Sequence, residues 1–175
     1  MHDLEAIVRA HSESVWRTVY RLLNNREDAL DCYQETFLTA LRLPSADAIR
    51  DWRAMLPRIA TAKAIDRLRQ RYATQKLFDN LSRVAPTQAS VSASELQAQG
   101  EEFFEAVRRA LAALPPQQAE AFWLRHLEQL NPSDVAELMR IEPGHVRVLV
   151  HRAAAALRTL LGSSYGPASF SKDSS

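Results

Sequence analysis

Apolar residues recur at three- and four-residue spacing along two long stretches of this chain, and a stretch without any period separates them. That pattern predicts amphipathic helices gathered into two bodies. In the first stretch Leu4, Val8, His11, Val15, Val19 and Leu22 share one helical face, and Asn24-Asn25 reads as a turn. A second helix is expected from about Arg26 to Leu43, with Leu30, Tyr33, Phe37 and Leu41 on its inner face; Pro44 and Ser45 stop it. A third region spans about Ala46 to Gln75, with Trp52, Leu56, Ile59, Ile65 and Leu68 as core contacts. Pro57 falls inside it and is expected to kink or restart the helix, because proline lacks a backbone donor. Helical pattern returns from Glu101 to Leu161, punctuated by Pro115-Pro116 and Asn131-Pro132. The expected fold is all-α: two small helical domains, residues 1–76 and 101–161, joined by a flexible linker over 77–100. A serine-rich tail over 162–175 is expected to be disordered.

Composition removes several function classes. The chain has only 4 glycines, and two of them, Gly162 and Gly166, lie in its last fourteen residues. Loops that cradle phosphates need closely spaced glycines, which disfavours a nucleotide-binding enzyme. Cys32 is the single cysteine, so no internal disulfide forms, and the chain suits a reducing compartment. No basic run followed by an apolar core opens the sequence, and nothing approaches the roughly 20 apolar residues that span a bilayer. A cytoplasmic protein without membrane insertion is expected. His126, His145 and His151 lack the spacing and bracketing acids of a zinc helix, and Cys32 has no evident base. No catalysis, metal or cofactor is therefore expected.

The net charge of +1 conceals an uneven distribution. Between Asn24 and Ala48 stand five acids (Glu27, Asp28, Asp31, Glu35, Asp47) against two arginines. Between Ile49 and Lys76 stand eight bases (Arg50, Arg53, Arg58, Lys63, Arg67, Arg69, Arg71, Lys76) against Asp51 and Asp66. An acidic helix followed by a basic one fits two partners of opposite charge, and equally fits two solvated faces. Farther along, Asn131 and Pro132 suit a helix start and Pro143 another, which makes a helix-turn-helix. Val146, Val150, Ala153, Leu157 and Leu160 form the inner face of its second helix, with Arg147 and His151 opposite. Cations there are placed to meet phosphates or guanine edges in a major groove.

Particular runs carry a resemblance. Leu114-Pro115-Pro116-Gln117-Gln118, Phe122-Trp123-Leu124-Arg125-His126, Val135-Ala136-Glu137-Leu138, Gly144-His145-Val146-Arg147 and His151-Arg152-Ala153 resemble the fourth domain of bacterial RNA polymerase sigma factors. The likeness is to the extracytoplasmic-function type, whose helix-turn-helix contacts the minus-thirty-five element. It implies DNA contact by His145, Arg147, His151 and Arg152. The run from Asp28 to Leu38 resembles the segment that docks on the β′ clamp helices of core polymerase, which implies Asp28, Asp31, Gln34 and Glu35 as docking residues. The run from Leu56 to Arg71 resembles the segment that melts and reads the minus-ten element. It implies Lys63, Arg67, Arg69 and Arg71 at DNA, and Lys63, Arg67 and Arg71 recur at four-residue spacing as one cationic rail. The family commonly has asparagine at Ala62, glycine at Arg140, threonine or serine at His145, and a serine-arginine pair at Val148-Leu149, so an altered base preference is implied.

The resemblance implies a sigma factor that binds core RNA polymerase and directs it to specific promoters. Control by an anti-sigma partner is common in that family. One alternative is a sigma-like mimic that binds an anti-sigma partner or DNA without supporting initiation; mimics of that kind carry a receiver domain, for which residues 162–175 are too few. A simple helix-turn-helix repressor would leave the acidic helix and the cationic rail unexplained. A 24-residue linker would reach about 25–30 Å, at about 5–6 Å × √n for a flexible chain.

Overall fold

The computed structural model describes residues 4–43, 51–81 and 95–162. Helix α1 spans Leu4–Leu23 and ends at Asn24, which takes the left-handed conformation (φ 45°) expected of a helix-terminating asparagine. Asn25 then caps α2 (Arg26–Leu41), its side-chain oxygen accepting from the Asp28 backbone N–H at 2.9 Å. Glu27 and Asp28 sit in the first turn, where acids favour the positive end of the helix dipole. Helix α3 (Trp52–Leu81) starts on Asp51, whose carboxylate accepts from the backbone N–H groups of Arg53 (2.9 Å) and Ala54 (3.3 Å). Pro57 does not restart it. The proline is the sixth residue of a helix that continues unbroken to Leu81, so the single lost donor is absorbed.

Helices α4 (Glu95–Ala113), α5 (Pro116–His126), α6 (Pro132–Met139) and α7 (Pro143–Gly162) complete the chain. The expected linker is helical at both ends, since α3 runs through Leu81 and α4 begins at Glu95; residues 82–94 lie outside the described part, as does the tail from residue 163. No helix among the described residues is long and apolar enough to cross a membrane.

Helices α1, α2 and α3 form an antiparallel bundle around Val15, Val19, Leu22, Phe37, Leu56, Ile65 and Leu68. Ala60 and Ala64 are fully buried on α3, where small side chains let the neighbouring backbones approach closely. The second body does not stand apart from the first. Leu111, Leu114, Ala119, Trp123, Leu157 and Leu161 belong to the same continuous core, because α4 and α5 lie against α3. A smaller cluster of Leu124, Val135, Ala136 and Val146 holds the helix-turn-helix together.

Three side chains expected inside are outside. Leu30 and Leu41 of α2 are 46% and 41% exposed, and Leu160 of α7 is 43% exposed while Leu161 takes the buried place. Tyr33 and Phe37 do face inward, edge to face with ring centroids 5.1 Å apart. Trp52 packs against the core, as expected.

Candidate nucleic-acid interface

On α2 the four candidate docking residues lie on the solvent side of the bundle. Asp31, Gln34 and Glu35 are exposed and Asp28 is half-buried. Leu30, Leu38 and Leu41 are exposed beside them, an apolar row flanked by carboxylates. Sequence periodicity missed this row because α2 carries apolar residues on two sides, and spacing alone does not say which side is covered. Exposed leucines within a charged rim are the composition of a protein-binding face.

The α3 cations are not free-standing. Lys63 Nζ lies 3.3 Å from Glu35, Arg67 Nη2 lies 3.1 Å from Asp31, and Arg71 Nη2 lies 2.5 Å from Asp28. Arg67 Nε also approaches Asp28 at 3.7 Å. Burial pulls against the Arg67 charge, but the Cys32 side chain, Asp28 and Asp31 outweigh it and raise its pKa. Burial likewise raises the Cys32 thiol, with Arg67 opposing, which leaves the thiol a poor nucleophile.

Arg69 and Arg71 have further duties. Arg69 Nη1 donates to the backbone carbonyls of Leu114 (2.6 Å) and Ala112 (3.3 Å), the unpaired acceptors at the end of α4. Arg71 Nη1 does the same for Leu23 at the end of α1, at 3.0 Å. Both guanidinium groups therefore anchor helices, a role no spacing rule reveals. The Tyr72 hydroxyl donates to Glu105 at 2.7 Å, and its pKa is pushed up to about 12 by burial and by that carboxylate.

In the second body the helix-turn-helix is assembled as expected. The Asn131 side chain accepts from the Asp134 backbone N–H at 2.9 Å, with Pro132 in the first turn. Arg140 closes α6 in the left-handed conformation (φ 55°, ψ 47°), which explains why glycine commonly stands there in the resembling family. His145, Arg147, His151 and Arg152 are all exposed on α7. Arg147 and His151 share a shallow cleft with Arg125, Pro132 and Val150. Leu149 is buried and Val148 is 43% exposed, so of that pair only Val148 can face a ligand.

Polar interactions tie the two bodies together. Arg58 Nε lies 3.0 Å from Glu120 on α5; burial raises the Glu120 pKa, and Arg58 counters it. The Glu128 carboxylate accepts from the Thr18 hydroxyl of α1 at 2.8 Å and from the Trp123 indole N–H at 3.1 Å. No group of three or more histidine, cysteine or acidic residues able to hold a metal occurs among the described residues.

The chain matches known protein families and is similar to known proteins. Residues 7–74 match the family Sigma-70 region 2, and residues 104–157 match Sigma-70, region 4. The chain is 28% identical over 165 residues to the ECF RNA polymerase sigma factor SigW of Bacillus subtilis, covering 89% of this chain and 87% of that protein. It is 32% identical over 158 residues to the ECF RNA polymerase sigma factor BldN of Streptomyces coelicolor, covering 86% of this chain and 57% of BldN. In fold it resembles the sigma factor RpoE of Bartonella quintana, solved in complex with the anti-sigma factor NepR, with a TM-score of 0.53 at 22% identity over 92% of this chain and 98% of that one. The Mycobacterium tuberculosis extracytoplasmic function sigma factor SigJ is similar too, with a TM-score of 0.50 at 24% identity over 85% and 51%. With region 2 on α1–α3 and region 4 on α4–α7, the chain belongs to the sigma factors of the sigma-70 family, of the extracytoplasmic-function type.

Proposed function

We infer that this protein is a transcription initiation factor that binds core RNA polymerase and directs it to specific promoters. One observation carries the reading: a single chain holds an exposed acid-and-leucine face on α2, a cationic rail on α3 and an exposed basic face on the second helix of a helix-turn-helix. In this reading residues 1–76 are the polymerase-docking and minus-ten domain, and residues 101–161 the minus-thirty-five domain, with the connection between them over 77–100. Asp28, Asp31, Gln34 and Glu35 meet the β′ clamp helices, with Leu30 and Leu38 supplying apolar contact. Lys63 and Arg67 follow the opened strand, while Arg69 and Arg71 mainly hold the helices that present them. His145, Arg147, His151 and Arg152 face upstream duplex DNA.

The chemistry of RNA synthesis then belongs to the polymerase and this chain contributes specificity, acting in the cytoplasm where polymerase is found. An anti-sigma partner is part of the reading, supported by the likeness to RpoE, which was crystallised with NepR.

Mixing the purified protein with core polymerase and measuring run-off transcription from a genomic promoter library tests the function. Initiation from a discrete promoter set is expected. Absence of core binding would refute it, and binding without initiation would favour a mimic. Reversing charge at Asp31 and Glu35 to lysine should weaken core binding by about tenfold or more while circular dichroism stays unchanged, since like charges facing each other across an interface lose both steering and affinity.

A further inference from the structure

The outward face of α7 is not uniformly basic. Its buried row is Val146, Leu149, Ala153, Leu157 and Leu161. At about 100° per residue, Gly144, Val148 and Ala155 all fall within about 20° of the line directly opposite that row. All three are exposed, so the outermost line of the helix carries small apolar residues. The cations flank that line, about 40–80° away: Arg147, His151 and Arg158 on one side, His145 and Arg152 on the other. Val148 is the bulkiest apolar group on the line, 43% exposed. Gly144 stands in the first turn outside the left-handed region, and a Cβ there would meet no described atom within 4 Å. Neither a turn nor packing calls for that glycine, which leaves the backbone open to close approach by a ligand.

A helix about 10–12 Å across fills a major groove about 12 Å wide. Its outermost line then lies on the base edges, and its flanks face the phosphates of the two walls. The flanking cations suit those walls. Val148 offers no donor or acceptor, and laid on a ring nitrogen, carbonyl or amine of a base edge it would leave that group shut from water without a partner. The one apolar group presented in the major groove is the C5 methyl of thymine. We propose that Val148 is a specificity-determining residue whose isopropyl group packs on the C5 methyl of one thymine in the upstream promoter element. The proposal rests on the reading of α7 as the helix that faces upstream DNA, and adds to it the base and the atom that are read. The serine common at this place in the family carries a hydroxyl, which serves donors and acceptors alike. Valine narrows the choice to a methyl group, which gives the altered base preference a direction.

The test uses holoenzyme assembled from the full chain and purified core polymerase, with a promoter duplex enriched by that holoenzyme from a genomic library. Each thymine of the upstream element is replaced in turn by uracil, which pairs identically and lacks only the methyl group. At one position uracil should weaken wild-type binding about fourfold, the value of one buried methyl-sized contact. In the Val148→Ala holoenzyme, thymine and uracil at that position should bind equally. Alanine at an exposed helical site favours the helix, so this variant folds. A 5-methylcytosine at the same position should bind the wild type about fourfold more tightly than cytosine there, and Val148→Ala should remove that gain too. Arg147→Ala should weaken the thymine and uracil duplexes by the same factor, because a phosphate contact carries no base information.

An upstream element in which no thymine responds to uracil overturns the proposal, as does a uracil effect that survives unchanged in Val148→Ala. A holoenzyme that does not assemble or enriches no promoter overturns the functional reading itself. A holoenzyme that binds its promoter with no methyl dependence at Val148 overturns only the assignment of this residue.

Discussion

Replacing Glu128 by alanine is expected to lower the stability of the whole chain by about 2–4 kcal/mol. One carboxylate oxygen accepts from both the Thr18 hydroxyl and the Trp123 indole N–H, and those residues are 1% and 5% exposed. Removing the acceptor leaves two nearly buried donors without their partner, and each such group costs about 1–3 kcal/mol. The hydrogen bond to Thr18 joins α1 to the turn after α5, so its removal acts on how the two bodies are held and not on one helix alone. Glu128→Gln keeps a side-chain oxygen and loses only the charge assistance, which should cost about 1 kcal/mol or less. Urea denaturation of the full chain reads both values, with the midpoint falling in the order wild type, glutamine variant, alanine variant. In a thermal scan the alanine variant should melt roughly 5–15 °C lower, at about 2–4 °C per kcal/mol for a chain of this size. An alanine variant within about 0.5 kcal/mol of wild type, or a glutamine variant as unstable as the alanine one, would refute the assigned role of this carboxylate.

Arg140→Gly should stabilise the protein by about 0.5–1 kcal/mol, because a left-handed arginine costs about 1–2 kcal/mol while glycine's extra backbone entropy returns part of the gain; denaturation midpoints check the sign. Glu120 has its folded-state pKa raised by burial, so the folded chain holds a proton that the unfolded chain releases. Its contribution to stability is fully present below the ordinary carboxylate pKa and is lost as pH rises through the raised value. Subtracting the pH–stability curve of Glu120→Gln from that of the wild type should isolate this fall, and a flat difference would count against it. Arg147→Ala/His151→Ala should weaken binding to upstream duplex promoter DNA and lower the salt slope by about 0.9 for each phosphate no longer neutralised. Core polymerase affinity measured in parallel should not change.

Much of the fold was legible because helix signals are local. Asn25, Asp51 and Asn131 cap the helices they precede, and proline stands in the first turn of α5, α6 and α7. What spacing cannot supply is the identity of the covering surface. Leu30 and Leu41 repeat with Tyr33 and Phe37 closely enough to pass for one stripe, yet α1 and α3 cover only the aromatic side. The candidate site was legible as charges on separate helices. Pairing Lys63 with Glu35 or Arg67 with Asp31 requires the register between helices, and the duties of Arg69 and Arg71 require knowing which helix ends come to rest beside them. The shared core of the two bodies was hidden for the same reason: nothing local to Trp123 or Leu111 says that α3 lies across from them.

In the proposed reading that shared core sets a threshold on promoter binding. Elements centred about 25 base pairs apart lie roughly 85 Å from each other, at 3.4 Å per base pair. A compact chain of this length has a radius of gyration of about 16 Å. No rigid body of that size reaches both elements, so in the proposed reading a chain that grips both would have to draw α4 and α5 away from α3 and leave Trp123, Leu111 and Leu114 without their cover. Any ligand that needs the extended form binds with its intrinsic affinity reduced by the fraction of molecules already extended. In that reading promoter DNA alone would meet a reluctant protein, and a large partner supplying a new apolar surface for those three residues would make the extended form common.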